Sequence, residues 1–145
     1  MRIALASDHA AFNLKEQIKE YLLNKNIEVK DFGSFSDASA DYPLYAFNAA
    51  KAVANKEFEF GIMMCGSGQG MQMTANKIYD IRAALCHSVA MAEITRKHNN
   101  ANVLTFGSRF IGYETATEIV DAFLNTAFEG GRHQRRIELM NELTK

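Results

Sequence analysis

The segment MMCGSGQGMQMTANK, Met63 to Lys77, decides how the rest of the chain is read. An apolar, strand-like run stops at a cysteine. Three glycines follow within five positions, and a helix-like segment comes next. A strand that turns through glycines into a helix is the repeating unit of a parallel α/β sheet. The spacing here is G-x-G-x-G, not the G-x-G-x-x-G of a dinucleotide fingerprint, and it follows the third predicted strand rather than the first. No acidic residue ends the next strand to hold a ribose hydroxyl. No G-K-[S/T] follows, so the loop is not a Walker loop. The glycines let backbone approach a ligand closely and aim N–H groups at it. Cys65 has two readings. A thiol at a helix N-terminus has its thiolate stabilised, which suits a base or nucleophile. A small residue closing a buried strand is the plainer alternative. Cys86 also ends a strand, without a glycine loop behind it, and reads as structural.

Working outward, strand-like and helix-like segments alternate along the chain. RIALAS, from Arg2, is a first strand. Ala11, Leu14, Ile18 and Leu22 then recur at helical spacing, and Asn24–Asn26 close that helix. IEVKDFG is a second strand ending at Gly33. SFSDASADYP is a polar loop ending at Pro43, the only proline, and a helix is predicted from about Leu44 to Asn55. EFGIMMC, IRAALC and NVLTFG are strands three to five, with Ser88 placed to cap the helix SVAMAEITRKHN. GYETATEIVDAFLNTAF and RHQRRIELMNEL are the last two helices. Short apolar strands between amphipathic helices predict right-handed crossovers and a parallel sheet covered on both faces. The expected architecture is a three-layer αβα, Rossmann-like domain with a five-stranded parallel sheet, formed by residues 1–145 as one unit.

The bulk composition agrees. A chain of 145 residues that is 48% hydrophobic can bury a core of its own. Its 16 basic and 17 acidic residues nearly cancel, which gives no signal for nucleic acid or an anionic membrane. No apolar run approaches the roughly 18 residues of a membrane span, and the opening stretch reads as a strand rather than a signal peptide. Two cysteines without C-x-x-C spacing predict a reduced, cytoplasmic protein.

Ligands of such sheets bind at the C-terminal ends of the strands. Those ends carry Ser7-Asp8-His9, Cys65-Gly66-Ser67 and Gly107-Ser108-Arg109. Asp8 reads either as an N-cap or as a carboxylate paired with the His9 imidazole. His98, in KHNNAN, reads as a helix-terminal histidine or as a catalytic one. EGGRHQRR places Arg132 and Arg136 four apart, on one helical face. Positive charge at a helix start opposes the macrodipole, and a bound anion would remove that conflict. The histidines at 9, 87, 98 and 133 lie in separate segments, so no metal triad is predicted. A thiol, imidazoles, a carboxylate and arginines suit proton transfer on a small anionic substrate.

ASDHAAFNLK, DYPLYA, CGSGQGMQMTANK, IRAALC, HNNANVLTFGSR and EGGRHQRR occur in this order across essentially the whole chain. With them the sequence resembles the type B ribose-5-phosphate isomerases and their galactose- and allose-6-phosphate relatives. The resemblance implies an aldose–ketose isomerisation in the pentose phosphate pathway, without metal or organic cofactor. It implies that Cys65 is the base of a cis-enediolate mechanism. The backbone amides of the Gly66–Gly70 loop would stabilise the oxyanion, with Gly66, Gly68, Gln69 and Gly70 as substrate-binding positions, and Ser67 would assist proton exchange on the substrate oxygens. His98, helped by Asp8, would open the sugar ring. Asn99 would bind a hydroxyl, and Tyr42 would line the pocket. His9, Arg109, Arg132 and Arg136 would grip the phosphate. Two positions depart from parts of the family: Met71 stands where one branch has a glutamate base, and Asn100 stands where many members have Asp. A hexose-6-phosphate isomerase is the alternative, and a non-catalytic module that binds a phosphorylated ligand is the remote one.

His98 precedes a strand, so its helix end points to the opposite sheet edge from Cys65. The expectation is a homodimer, or a dimer of dimers, whose sites draw on both subunits.

Overall fold

The computed structural model describes residues 1–145. Its elements in chain order are β1 (Arg2–Ser7), α1 (Phe12–Asn24), β2 (Glu28–Asp31), α2 (Tyr42–Ala54), β3 (Phe60–Cys65) and α3 (Gln69–Asn76). Then come β4 (Ala83–Leu85), α4 (Val89–Asn99), β5 (Val103–Gly107), α5 (Tyr113–Asn125) and α6 (Arg132–Leu143). The five strands form one parallel sheet in the order β2-β1-β3-β5-β4. This is the three-layer αβα architecture that the alternation predicts.

The strand order follows from the handedness of the crossovers. From β1 the chain moves one way, to β2. From β3 it moves the other way, to β4 and then back to β5. Helices that cross in opposite directions cover opposite faces. One face packs Ile3, Leu5, Ile62, Met64, Leu104 and Phe106 beneath α1, α4 and α5. The other packs Ala4, Ala6, Met63, Cys65 and Val103 beneath α2 and α3. Neighbouring strand residues alternate between the two clusters, as the pleat requires. Each fully buried Ile, Leu or Phe contributes about 1.5–3 kcal/mol by leaving water. The α2 face is built largely of alanines, with Ala46, Ala49 and Ala50 fully buried. Small side chains there let α2 lie close to the sheet and bring Tyr42 to the strand ends.

Several boundaries differ from the sequence expectation by a few residues, β2 and α5 being shorter than predicted, and two of the differences bear on the fold's edges. α2 begins at Tyr42, two residues before the predicted start, because Pro43 sits in its first turn where no N–H is needed. β4 pairs over only three residues and forms the sheet edge. Beyond it, Cys86 N–H still bonds Thr105 O at 3.0 Å.

Candidate active site

β1 and β3 are neighbours, and from them the chain departs in opposite directions. Their C-terminal ends therefore frame a crevice, the place where this class of sheet binds ligands. A pocket of about 400 Å³ lies there, lined by Asp8, His9, Tyr42, Cys65, Gly66, Ser67, Gln69, Gly70 and Arg109, with Ala10 and Met73. These nine predicted site residues come from four separate parts of the chain.

Cys65 closes β3 at the pocket floor and is 5% exposed. Its Sγ accepts the Gly68 N–H at 3.1 Å. Gly68 makes this bond because its backbone is left-handed, with φ +78°, a conformation that L side chains rarely adopt. It does not line the pocket but points its amide at the sulfur from behind. α3 starts immediately after, so its positive end also faces the thiol. The N–H groups of Ser67 and Gly70 have no partner in the chain and remain as donors at the pocket wall. The Ser67 hydroxyl accepts the Gln69 N–H at 3.3 Å.

The loop glycines also serve the chain's own packing. A Cβ at Gly66 would come within 3.1 Å of the Arg109 guanidinium, and one at Gly70 within 2.6 Å of the Tyr42 ring. Two site residues thus rest directly on glycine backbone. Arg109 is held further by its N–H to Gly66 O at 3.0 Å, and Ser108 N–H bonds Cys65 O at 2.9 Å. The β3 and β5 loops are therefore joined at the site. Ser108 adds a third link, its hydroxyl donating to Ala10 O at 3.2 Å. Behind these loops Gly107 donates to His87 Nε2 at 3.0 Å, and burial holds that imidazole below its ordinary range. His87 is thereby a neutral acceptor that supports the β5 turn.

Asp8 is 8% exposed. One oxygen accepts the Ala11 N–H at 3.2 Å, in the turn that precedes α1. The N-cap of α1 is Ala11 and no side chain caps the helix, so Asp8 is not its cap; the carboxylate braces the turn ahead of the helix and lines the pocket. His9 Nδ1 accepts the Ala40 N–H at 3.1 Å. The ring's proton is thus on Nε2, which is free to donate to an anion.

His98, Asn99, Arg132 and Arg136 do not line this pocket. His98 and Asn99 end α4, and Arg132 and Arg136 are exposed on α6. His98 instead stacks on His133, with ring centroids 4.3 Å apart and planes 14° apart. Glu129 Oε1 is 3.8 Å from His98 Nε2 and 3.6 Å from His133 Nε2. The fold so gathers a His-Glu-His group from segments that are distant in sequence, and its ligand-type atoms lie within 4.8 Å of one another. Near-parallel rings send their lone pairs side by side rather than converging on one ion, which does not suit a tetrahedral centre. His133 was legible only as part of a charged run. Its spacing of four from buried Ile137 was the available signal for a buried face.

The Asn100 departure has a structural account. Asn100 caps α4 in a left-handed conformation, φ +45°, which Asn tolerates better than most residues. Its Oδ1 accepts from Arg96 Nη1 at 2.9 Å, and Arg96 is 7% exposed. Position 100 holds a buried arginine and the helix end.

A thiol under free amides, beside a carboxylate, an imidazole and an arginine in a sugar-sized pocket, is a set of groups suited to acid–base chemistry on a small phosphorylated substrate. The family model of the Ribose/Galactose Isomerases matches residues 3–140. Ribose-5-phosphate isomerase B of Escherichia coli (strain K12) is 45% identical over 142 residues, covering 98% of this chain and 95% of that protein. Among solved structures, a ribose 5-phosphate isomerase from Thermotoga maritima superposes with a TM-score of 0.95 at 53% identity, covering 97% of each chain. The Mycoplasma genitalium ribose-5-phosphate isomerase B, solved with ribulose-5-phosphate bound, gives a TM-score of 0.93 at 44% identity, covering 98% of this chain and 95% of that one. The chain belongs to the ribose/galactose isomerase family.

Proposed function

We infer that this chain is an aldose–ketose isomerase that interconverts ribose 5-phosphate and ribulose 5-phosphate. The observation that carries the mechanism is the Cys65 thiol on the pocket floor, with the Gly68 amide 3.1 Å from its sulfur. As the thiolate, Cys65 takes the proton from C2 of the open-chain aldose. The electron pair moves through C1 to the carbonyl oxygen and gives a cis-enediolate. Returning the proton to C1, with loss of the O2 proton, gives the ketose. The Ser67 and Gly70 amides face the developing oxyanion, where preorganised donors act most strongly. The Ser67 hydroxyl carries the proton between O1 and O2. His9 and Arg109 bind the phosphate from this side, Tyr42 and Gln69 line the sugar, and no second carboxylate competes because position 71 is Met.

His98, with Asp8, opens the sugar ring, Asn99 holds a hydroxyl, and Arg132 and Arg136 complete the phosphate grip. These four α4 and α6 residues reach the Cys65 pocket of a second subunit in a homodimer or dimer of dimers. Their absence from their own chain's pocket supports this, as does the apolar surface left exposed beside them, including Met91, Ile94 and Met140. The whole of residues 1–145 works as one domain in the cytoplasm, within pentose phosphate metabolism. No metal is needed, since thiol and imidazole supply the proton transfers.

The deciding assay incubates the protein with ribose 5-phosphate and measures ketose, with allose and galactose 6-phosphates in parallel. Ketose from the pentose that persists after exhaustive chelation supports the reading. A preference for a hexose phosphate would reassign the substrate. No turnover of any of them would leave only a binding role, and activity restored by a divalent ion would overturn metal independence.

A further inference from the structure

Glu129 and His133 have no part in the chemistry above, yet both lie against the half-buried His98 ring. His133, in the first turn of α6, is 7% exposed, and its Nε2 is buried without a hydrogen-bond partner. Its ring covers one face of His98 at 4.3 Å. The Glu129 carboxylate stands at the edge of both rings, 3.8 Å from His98 Nε2. The Glu129 backbone is tied at this place, because its N–H donates to Lys97 O at 3.1 Å, the residue just before His98. A buried ring nitrogen with no hydrogen bond loses solvation and gains nothing in return unless its ring has another use. Burial, and then the neighbouring His98 and Arg132, hold His133 below the ordinary imidazole range. It therefore stacks as an uncharged ring and does not repel His98.

We propose that His133 and Glu129 are positioning residues that lock the orientation of the His98 ring for opening the sugar. His133 fixes the plane of the ring, and Glu129 restricts its rotation at the edge. His133 also lies between Arg132 and Arg136 on one helix. The ring-opening imidazole and the phosphate grip are thereby held in fixed register, so a substrate anchored by its phosphate meets His98 at one set distance. This rests on the reading of His98 as the ring-opening group.

The substrates supply a selective test. Ribose 5-phosphate closes O4 onto C1 and must be opened. Ribulose 5-phosphate has its O5 esterified, so it cannot close a five-membered ring onto C2 and enters as an open chain. The rate from each sugar is measured for His133→Ala, His133→Phe, Glu129→Ala and His98→Asn. His133→Ala and Glu129→Ala should lower kcat from the aldose at least about tenfold more than kcat from the ketose. His133→Phe, which keeps a flat ring, should recover the aldose direction to within about threefold of wild type. The ketose rate reports folding in every variant. Equal losses in both directions, no loss in either, or a Phe variant no better than Ala would overturn the proposal. If His98→Asn itself shows no such asymmetry, the ring-opening reading of His98 fails and the proposal falls with it. If only His98→Asn shows it, the reading of His98 stands and the positioning role is wrong.

Discussion

Cys65 and Cys86 are both buried free thiols at strand ends, and their surroundings separate them. Burial with no compensating donor pushes the Cys86 thiol up to about 12, so it stays protonated and inert. Cys65 has the Gly68 amide and the start of α3 facing its sulfur, and it borders open pocket. Cys65→Ala should lower turnover by on the order of a thousandfold while phosphate inhibition persists, and Cys86→Ala should be nearly silent. Near-normal steady-state rates in Cys65→Ala would remove the thiol from the mechanism. Arg136 is exposed on α6 with no acidic partner, in a helix whose first turn carries no acid. Arg136→Ala should weaken substrate and inorganic phosphate together by about 1.5–3 kcal/mol, the worth of a hydrogen bond to a charged group. Titration of the variant with phosphate as a competitive inhibitor checks this, and an unchanged inhibition constant would contradict it.

At the scale of elements, the β3–α3 turn and the α1–β2 anchor hold the site in shape. A Cβ at Gly68 would lie 2.6 Å from the Leu85 side chain and 2.7 Å from the Phe106 backbone, in a conformation already unfavourable for L residues. Gly68→Ala should cost about 1–3 kcal/mol of strain and withdraw the amide from Cys65, so melting temperature and kcat should fall together. On the other side of β1, fully buried Lys15 donates to Asp31, which also accepts from Lys19 and from Gly33 N–H. This anchors the loop whose Ala40 amide holds His9. Burial acts to raise the Asp31 carboxyl, but the bonds from Lys15 and Lys19 outweigh it and hold the group below its ordinary range. A lowered carboxyl stabilises the fold above the unfolded value of about 3.9 and loses that contribution as pH falls through the folded value. Asp31→Asn should cost about 3 kcal/mol at neutral pH by leaving Lys15 poorly compensated, and the gap to wild type should narrow in acid. Denaturant melts across pH would show it, and a gap that widens in acid would be the wrong sign. The sheet was legible because its strands are apolar runs and its helices carry one buried stripe. Asp8, Cys65 and Arg109 were legible because a parallel sheet collects its strand ends. The resting of Tyr42 on Gly70, the support from His87 and the burial of His133 were not, since each is a contact between segments far apart in the chain.

At the scale of the molecule, the question is why residues that read as one site stand in two places. α4 returns the chain to the N-terminal side of the sheet, so its last residues, His98 and Asn99, must lie away from the strand ends that carry Cys65. No rotamer change moves a helix terminus across a sheet. A two-fold axis that set the α4–α6 end of one subunit against the β1–β3 end of another would need no distortion of either chain, and would complete two sites at once. Complementation between subunits tests this directly. Cys65→Ala and His98→Asn proteins should each show little conversion of ribose 5-phosphate. Refolded together, they form mixed dimers with one doubly defective site and one intact site. Random pairing puts half of the dimers in that class, each with half of its sites intact. About a quarter of the wild-type activity should therefore return, by the arithmetic of a closed two-fold dimer. Native mass measurements establish that the mixed species has formed. If it forms and stays inactive, both residues serve a single chain's site, and the shared-site reading is wrong.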